Sequence, residues 1–344
     1  MDKLNVLIAG STGYIGTQLV KLLCKHKNVK IKYLCGNTSV GKNISSYDKD
    51  LKKYKLPKII KINYKLFKDV DVIFTSLPNG ESQKIANKLL KNNIMIDLSA
   101  DFRLTNAKIY NKYYGIKHIS LNNLKKSIYG LTEINKKNLS KGKIIACPGC
   151  YPTSILLPLF PLIKKNLIDF KNIIIDSKSG FSGAGRGVHK KFKNKNLYGS
   201  TSAYGIGSHR HNAEIQQELS YIKKNIEFTF TPHILPMFRG ILSTIYLNYK
   251  SKSNLNKIYN ELRRYYMKDK FIKILKNKAL STNDVINTNN CQISVCKSKD
   301  KKKLIILSSI DNLIKGGAGQ AVQNFNFIYN FKFNEGLKWE IFYS

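Results

Sequence analysis

Leu4-Asn5-Val6-Leu7-Ile8-Ala9-Gly10-Ser11-Thr12-Gly13-Tyr14-Ile15-Gly16 is the stretch on which the fold turns. Leu4 to Ala9 is an apolar run of the length of a buried strand, and Gln18 to Cys24 carries a helical pattern. The glycines between them are spaced G-x-x-G-x-x-G. Strand, glycine turn and helix in that order let a backbone approach a pyrophosphate seated on the helix N-terminus. Gly10, Ser11, Thr12, Gly13, Tyr14, Ile15 and Gly16 are therefore candidate cofactor contacts.

The next strand, Val29 to Cys35, ends in Gly36-Asn37-Thr38-Ser39. An acidic residue at this place would take the ribose 2′-hydroxyl of NAD. None is present, and Thr38, Ser39 and Lys42 can meet a 2′-phosphate, so the expected cofactor is NADP(H). Ile59 to Ile62, Val70 to Thr75 and Ile94 to Leu98 read as further strands, with a helix from Glu81 to Leu90. Short strands alternating with helices predict a doubly wound parallel α/β sheet of the Rossmann type. Ligands of such sheets bind at the carboxyl ends of the strands, where Asn79, Ser99 and Arg103 fall.

A second motif is Ala146-Cys147-Pro148-Gly149-Cys150-Tyr151-Pro152-Thr153-Ser154, followed by an apolar run. Cys150 reads as a nucleophile. Gly149 supplies a tight turn, and Thr153 or Ser154 is expected to cap a helix. A thiol at a helix N-terminus feels the positive end of the macrodipole, which lowers its pKa and favours the attacking thiolate. The competing reading is a buried structural cysteine, or half of a Cys-x-x-Cys redox or zinc pair.

Beyond Cys150 the pattern changes. A strand, Asn172 to Asp176, leads to Ser177-Lys178-Ser179-Gly180-Phe181-Ser182-Gly183-Ala184-Gly185-Arg186-Gly187, read as a ligand-hugging loop. In His209-Arg210-His211-Asn212-Ala213-Glu214, a helix from Ala213 to Leu219 would set Glu214 one turn after His211, able to orient an acid/base imidazole. His-x-His without an acid or thiol set is poor evidence for zinc, and no metal is expected. Strands at Phe228 to His233, Ile241 to Tyr249, Ile293 to Lys297 and Leu304 to Ser308, with a helix from Leu255 to Met267, predict an α+β domain with a largely antiparallel sheet. Asp311-Asn312-Leu313-Ile314-Lys315-Gly316-Gly317-Ala318-Gly319-Gln320 is a glycine-rich entry to a last helix, expected to return to the nucleotide domain.

Composition sets outer bounds. A chain of 344 residues with 42% hydrophobic content suits two domains. No apolar run reaches about 18 residues, so no transmembrane helix is expected. Six scattered cysteines fit a reduced, cytoplasmic protein. The net charge of +38 is spread as lysine over the whole chain, without a zinc finger, an RNP-like aromatic pattern or a basic helix. Specific nucleic-acid binding is not expected, although weak salt-dependent contact with polyanions is.

Taken in order, Gly10 to Gly16, Asp97 to Leu104, Pro148 to Thr153, Ser179 to Arg186, His209 to Gln216, Thr231 to Gly240 and Asp311 to Gln323 resemble the N-acetyl-gamma-glutamyl-phosphate reductase family, NADPH-dependent enzymes of arginine biosynthesis. The resemblance implies a semialdehyde dehydrogenase-like fold: a nucleotide domain over 1–149, completed by a C-terminal helix over 314–344, and a catalytic, substrate and oligomerisation domain over 150–313. It implies reduction of an acyl phosphate to a semialdehyde through a thioester on Cys150, with acid/base work at His209 or His211. Glu214 favours His211. Ser179, Gly180 and Asn312 join Gly10 to Gly16 and Thr38 as cofactor contacts. Arg103, Arg186, Arg210 and Arg239 are candidates for the substrate's carboxylate and phosphate, which suit arginine's fork. A homodimer or homotetramer is expected, with a small acyl phosphate as substrate and no membrane partner.

The chain departs from the family at Asn79, where histidine is common, at Ala213, where proline is common, in lacking an arginine after the second strand, and at Cys147. A reversible Cys147–Cys150 disulfide is one consequence to examine. Three other functions are compatible with the motifs: an acyl-phosphate reductase of lysine biosynthesis acting on a carrier-linked substrate, a non-catalytic NADP-binding sensor, and a polyanion-binding structural protein.

Overall fold

β1 (Leu4–Ala9) is sealed from Val6 to Ala9 and hydrogen-bonds in parallel on both sides, to β2 (Val29–Cys35) and to β4 (Val72–Thr75). With β3 (Ile59–Ile60), β5 (Ile94–Asp97), β6 (Ile128–Tyr129) and β7 (Ile144–Ala146) it makes an all-parallel sheet in the order β3-β2-β1-β4-β5-β7-β6. Strands covered on both faces read as continuous apolar runs, as Val72-Ile73-Phe74 does. The crossovers carry α1 (Tyr14–Leu23), α2 (Glu81–Ala86), α3 (Ala107–Tyr114), α4 (Leu121–Lys126) and α5 (Thr132–Leu139). The computed structural model of the protein describes residues 2–186, 199–251 and 253–338. These form two compact units, one of the described residues up to Pro148 with Gly317–Lys338, the other of the described residues between Gly149 and Gly316.

In the second unit α6 (Cys150–Lys164) and α7 (His211–Ser220) pack together, and α6 also packs on a mixed sheet and on α8 (Leu255–Tyr265). The sheet runs β12-β13-β14-β11-β8-β10-β9, with β8 Ile173–Gly180, β9 Ser202–Ala203, β10 Phe228–Leu235, β11 Ile241–Asn248, β12 Ile272–Lys276, β13 Cys291–Lys297 and β14 Lys303–Ile310. The β8–β10 and β12–β13 pairs are parallel and the rest antiparallel, so the sheet is mixed and largely antiparallel, as expected.

α6 is apolar and buried along most of its length despite Pro158 and Pro161 inside it. An interior proline removes the N–H that would bond four residues back. At Pro161 the orphaned carbonyl is that of Leu157, and the Tyr266 hydroxyl donates to it at 2.5 Å. A buried hydroxyl chain fixes the same helix to the sheet: Ser154 Oγ and Ser177 Oγ lie 2.8 and 2.7 Å from Ser243 Oγ. The helix that carries Cys150 is thus held along its side and at its carbonyls by tertiary contacts.

After β14 the chain makes a π-helical turn, Ile314–Ala318, and then α9 (Gly319–Ile328). α9 is shorter than the helix expected over 314–344, of which residues 339–344 lie outside the described residues. Within the first unit Thr132 Oγ1 donates to Asn324 Oδ1 (2.7 Å), and Asn324 Nδ2 to the Gly130 carbonyl (2.8 Å). Among the described residues no helix is long and apolar enough to cross a membrane.

Candidate active site

The glycine turn after β1 is built by close backbone approach. Gly10 has φ +82°, which L side chains rarely adopt, and a Cβ there would lie 2.1 Å from the Ser76 carbonyl oxygen. A Cβ on Gly16 would lie 2.1 Å from the Gly10 carbonyl oxygen, so α1 starts flush against the turn. Gly13 differs. It caps α1 without a side-chain hydrogen bond, and a Cβ there would make only ordinary contact, 3.8 Å from the Gly10 carbonyl oxygen. The first turn of α1 has no acidic residue to occupy its N–H groups. This is a cradle that a side chain would fill, and it fits a dinucleotide pyrophosphate. Thr12 to Ile15 are half-buried around it, whereas Ser11 is buried with its hydroxyl 3.3 Å from the Cys35 carbonyl.

Of the candidates for a 2′-phosphate, Thr38 and Lys42 are exposed. Ser39 is not available: it is buried and its hydroxyl sits 2.6 Å from the Tyr47 hydroxyl. Arg103 directs Nε to the Cys147 carbonyl (2.8 Å) and Nη2 to the Leu98 carbonyl (2.9 Å), bracing the end of the first unit's sheet. Asn79 is half-buried in the loop after β4. The next residue, Gly80, donates its N–H to both Asp101 oxygens (2.8 and 3.0 Å), a buried carboxylate whose part the sequence reading missed.

In the second unit Cys150 is the first residue of α6, half-buried, with Gly149 as N-cap. The helix therefore begins earlier than expected, and neither Thr153 nor Ser154 caps it. Their hydroxyls donate back to the Gly149 and Tyr151 carbonyls at 2.9 Å. Pro152 in the first turn costs nothing there, since that N–H has no intrahelical partner anyway.

α7 reaches the cysteine turn twice. Glu214, fully buried, accepts the Gly149 N–H on Oε1 at 2.8 Å. The His211 ring lies flat against Gly149, where a Cβ would stand 2.5 Å from Nε2 and 2.7 Å from Cε1. In the structure the carboxylate expected to orient His211 holds the residue before the nucleophile. The helix starts at His211, two residues before the expected start at Ala213, and so carries both His211 and Glu214; a partner 65 residues away leaves no local signal. Across from them a Cβ on Gly316 would lie 2.7 Å from Cys150 Cβ, so Gly316 makes room for the cysteine.

His209 is packed among rings: its centroid is 4.7 Å from that of His211, 5.4 Å from Tyr204 and 5.7 Å from Tyr151. Burial, with the Arg210 charge beside it, pushes the His209 imidazole down to about 4, so it is neutral at physiological pH. The Tyr204 hydroxyl donates to that of Tyr151 (3.1 Å), and Tyr151 to the His233 carbonyl (3.3 Å). This pair of hydroxyls beside the nucleophile was not anticipated. Burial pushes the Tyr204 phenol up to about 12.

The motifs near 180, 240 and 312 converge. Ser177 to Gly180 are the last residues of β8 and not a loop, because β10 and β11 supply their backbone partners on both sides. Ser179 is buried, and a Cβ on Gly180 would strike the Phe238–Arg239 backbone at 2.7 Å. Asn312 accepts the Gly240 N–H (2.7 Å) and donates to Ser182 Oγ (3.0 Å), so its amide ties these segments together. Arg239 Nη1 pairs with Asp311 Oδ2 at 3.1 Å and with Asn287 Oδ1 at 2.8 Å. Asp311, fully buried, also accepts the N–H groups of Asn287, Leu313 and Ile314. Arg186 is half-buried and Arg210 exposed; Gly187, which ends the expected loop, lies outside the described residues.

Cys147 is fully buried, with Asn324 Nδ2 3.7 Å from its sulfur, and burial pushes its thiol up to about 12. A sealed, neutral thiol is a poor partner for reversible oxidation. Iodoacetamide at mild alkaline pH is expected to label Cys150 in the native protein while leaving Cys147 unlabelled until denaturant is added. Peptide mass mapping of the labelled protein checks this, and early labelling of Cys147 would restore the disulfide idea.

The model of the semialdehyde dehydrogenase NAD binding domain matches residues 5–142, and that of the semialdehyde dehydrogenase dimerisation domain matches residues 150–312. The N-acetyl-gamma-glutamyl-phosphate reductase of Ehrlichia canis (strain Jake) is 40% identical over 338 residues, covering 96% of each chain. That of Clostridium botulinum (strain Eklund 17B / Type B) is 43% identical over 342 residues, 97% of this chain and 98% of its own. The solved aspartate semialdehyde dehydrogenase II from Vibrio cholerae has the same fold, with a TM-score of 0.69 at 15% identity over 96% of this chain and 99% of that one. The parallel nucleotide sheet, the cysteine at a helix start and these full-length likenesses agree: the chain belongs to the N-acetyl-gamma-glutamyl-phosphate reductase family.

Proposed function

We propose that this protein reduces N-acetyl-L-glutamyl 5-phosphate to N-acetyl-L-glutamate 5-semialdehyde and phosphate, with NADPH as reductant, as a step of arginine biosynthesis. The observation that carries this reading is Cys150 at the start of α6 with the His211 ring against the preceding glycine. A thiolate in that place attacks the acyl-phosphate carbonyl, the carbon–oxygen bond to phosphate breaks, and a thioester on Cys150 remains. NADPH, when bound, supplies the hydride that brings the thioester to the aldehyde oxidation level. The carbon–sulfur bond then breaks and Cys150 leaves as thiolate, with His211 holding the proton exchanged at the substrate oxygen. His209, neutral and ring-packed, supports His211.

Backbone N–H groups at a helix start can stabilise the oxyanion, at about 3–4 kcal/mol per donor in known cases. The donor at Gly149 is taken by Glu214, Pro152 has none and that of Thr153 bonds the Gly149 carbonyl, so the N–H groups of Cys150 and Tyr151 are our assignment for this role. Gly10, Ser11, Thr12, Gly13, Tyr14, Ile15, Gly16 and Thr38 in the first unit, and Ser179, Gly180 and Asn312 in the second, are assigned to the cofactor. Arg103, Arg186, Arg210 and Arg239 are assigned to the substrate's anionic groups. For Arg103 and Arg239 this means using the donors not directed at Cys147, Leu98, Asn287 and Asp311.

The protein is further assigned to the cytoplasm, as a homodimer or homotetramer without a specific nucleic-acid partner. Ile174 and Tyr246 stand side by side on one face of the second unit's sheet, 50% and 40% exposed, an apolar area suited to a second copy. The test is NADP⁺ reduction with N-acetyl-L-glutamate 5-semialdehyde and inorganic phosphate, followed by absorbance. Phosphate-dependent NADPH formation is expected. A folded protein that binds NADPH yet turns over only a carrier-linked semialdehyde would move the assignment to the lysine-type substrate.

A further inference from the structure

The loop after β2 and the turns that follow it sort their charges. Asp48 and Asp50 both point to α1, where each Oδ2 lies 2.7 Å from Lys21 Nζ. Lys42, Lys49, Lys52 and Lys58, with Ser45 and Ser46, line a depression of about 560 Å³. Among the described residues none of these four ammonium groups lies within ion-pair distance of a carboxylate. The wall is fixed by the sheet edge: Gly41 donates to the Ile59 carbonyl (2.8 Å) and Ile59 to the Lys42 carbonyl (3.0 Å), which sets Lys42 beside Lys58 at the start of β3.

We propose that this four-lysine depression is a binding site for a small phosphate-bearing ligand. A concavity lined by one sign of charge concentrates the potential that a spread of surface lysines dilutes. The ammonium group is a compact donor suited to phosphate oxygens, and the serine hydroxyls add neutral donors. No aromatic ring lines the depression to stack a base, which speaks against single-stranded nucleic acid. The volume is that of a small-molecule pocket. The site stands independently of the reaction proposed above. The ligand is a phosphorylated metabolite distinct from the cofactor, since Thr38, expected at the cofactor's 2′-phosphate, does not line the depression.

The test uses the full-length protein and calorimetric titration with pyrophosphate at low ionic strength. The variant is Lys42→Gln/Lys58→Gln; the charge-matched control is Lys301→Gln/Lys302→Gln on the exposed β13–β14 hairpin. The variant is expected to weaken pyrophosphate binding roughly tenfold or more, as befits two lost charge-assisted hydrogen bonds, and the control by less than about twofold. If NADP⁺ affinity falls in parallel while NAD⁺ affinity does not, the depression is only the cofactor's 2′-phosphate site and the proposal is overturned. If pyrophosphate still binds in saturating NADP⁺, the ligand is a separate metabolite. Equal weakening in variant and control would reduce the effect to net charge and overturn the proposal, as would a wild type that takes up no pyrophosphate.

Discussion

Cys150→Ser is expected to fold, to bind NADPH like the wild type, and to lose phosphate-dependent turnover by about 10⁴-fold or more, the scale seen when a nucleophile is removed. The substitution is small. Oxygen is smaller than sulfur, and the Cβ that fits against Gly316 is retained. The loss is therefore chemical. A thiolate at a helix start attacks carbonyls; a hydroxyl at the same position stays protonated. Steady-state rates of wild type and variant, with thermal unfolding and NADPH titration as controls, decide it. A variant retaining a tenth of wild-type turnover would remove Cys150 from the chemistry.

The second large effect comes from a residue with no functional group. Gly149 has φ −65° and ψ 158°, ordinary values for any amino acid, so alanine meets no backbone penalty there. Its methyl would nevertheless lie 2.5 Å from His211 Nε2. The ring has no room to retreat, being only 7% exposed and in edge contact with Tyr151 and His209. Gly149→Ala must therefore separate the histidine from the cysteine turn. It is expected to lower kcat by about 10²-fold, within the 10²–10⁴ range for losing a positioned acid/base, and to match His211→Asn. KM for NADPH should stay unchanged in both.

The pH profile separates the two histidines. Because burial and Arg210 hold His209 down to about 4, it stays neutral from pH 8 to well below 6 and contributes no titration near neutrality. Any acid limb near neutral pH in kcat/KM should survive His209→Asn. Its loss in that variant would give the acid/base role to His209.

How much of this was readable beforehand follows from where each signal resides. The β1–α1 turn was legible because its glycines answer a backbone demand that is local: positive φ at Gly10 and contact between Gly16 and Gly10. The histidine stretch was legible as a helix because Glu214 and His211 are one turn apart. The end of β8 was not. Ser177 to Gly180 are small and polar and look like a loop, yet they lie between β10 and β11, and the Ser177 hydroxyl is satisfied by Ser243. The start of α6 was misplaced because Pro152 looks like a break, although a first-turn proline is compatible with a helix. Glu214 holding Gly149, Asp311 gathering Arg239 and the loop at Asn287, and Tyr204 on Tyr151 are all long-range pairings. No spacing rule encodes them.

The most direct measurement is the mass of the protein itself. Full-length enzyme mixed with N-acetyl-L-glutamyl 5-phosphate, with nicotinamide withheld and then rapidly quenched in acid, should gain the mass of one N-acetylglutamyl group. Fragmentation should place it on Cys150, and hydroxylamine should remove it, as expected for a thioester. A protein that reduces this substrate when NADPH is supplied, but carries no acyl group on Cys150 without it, would contradict covalent catalysis by that residue.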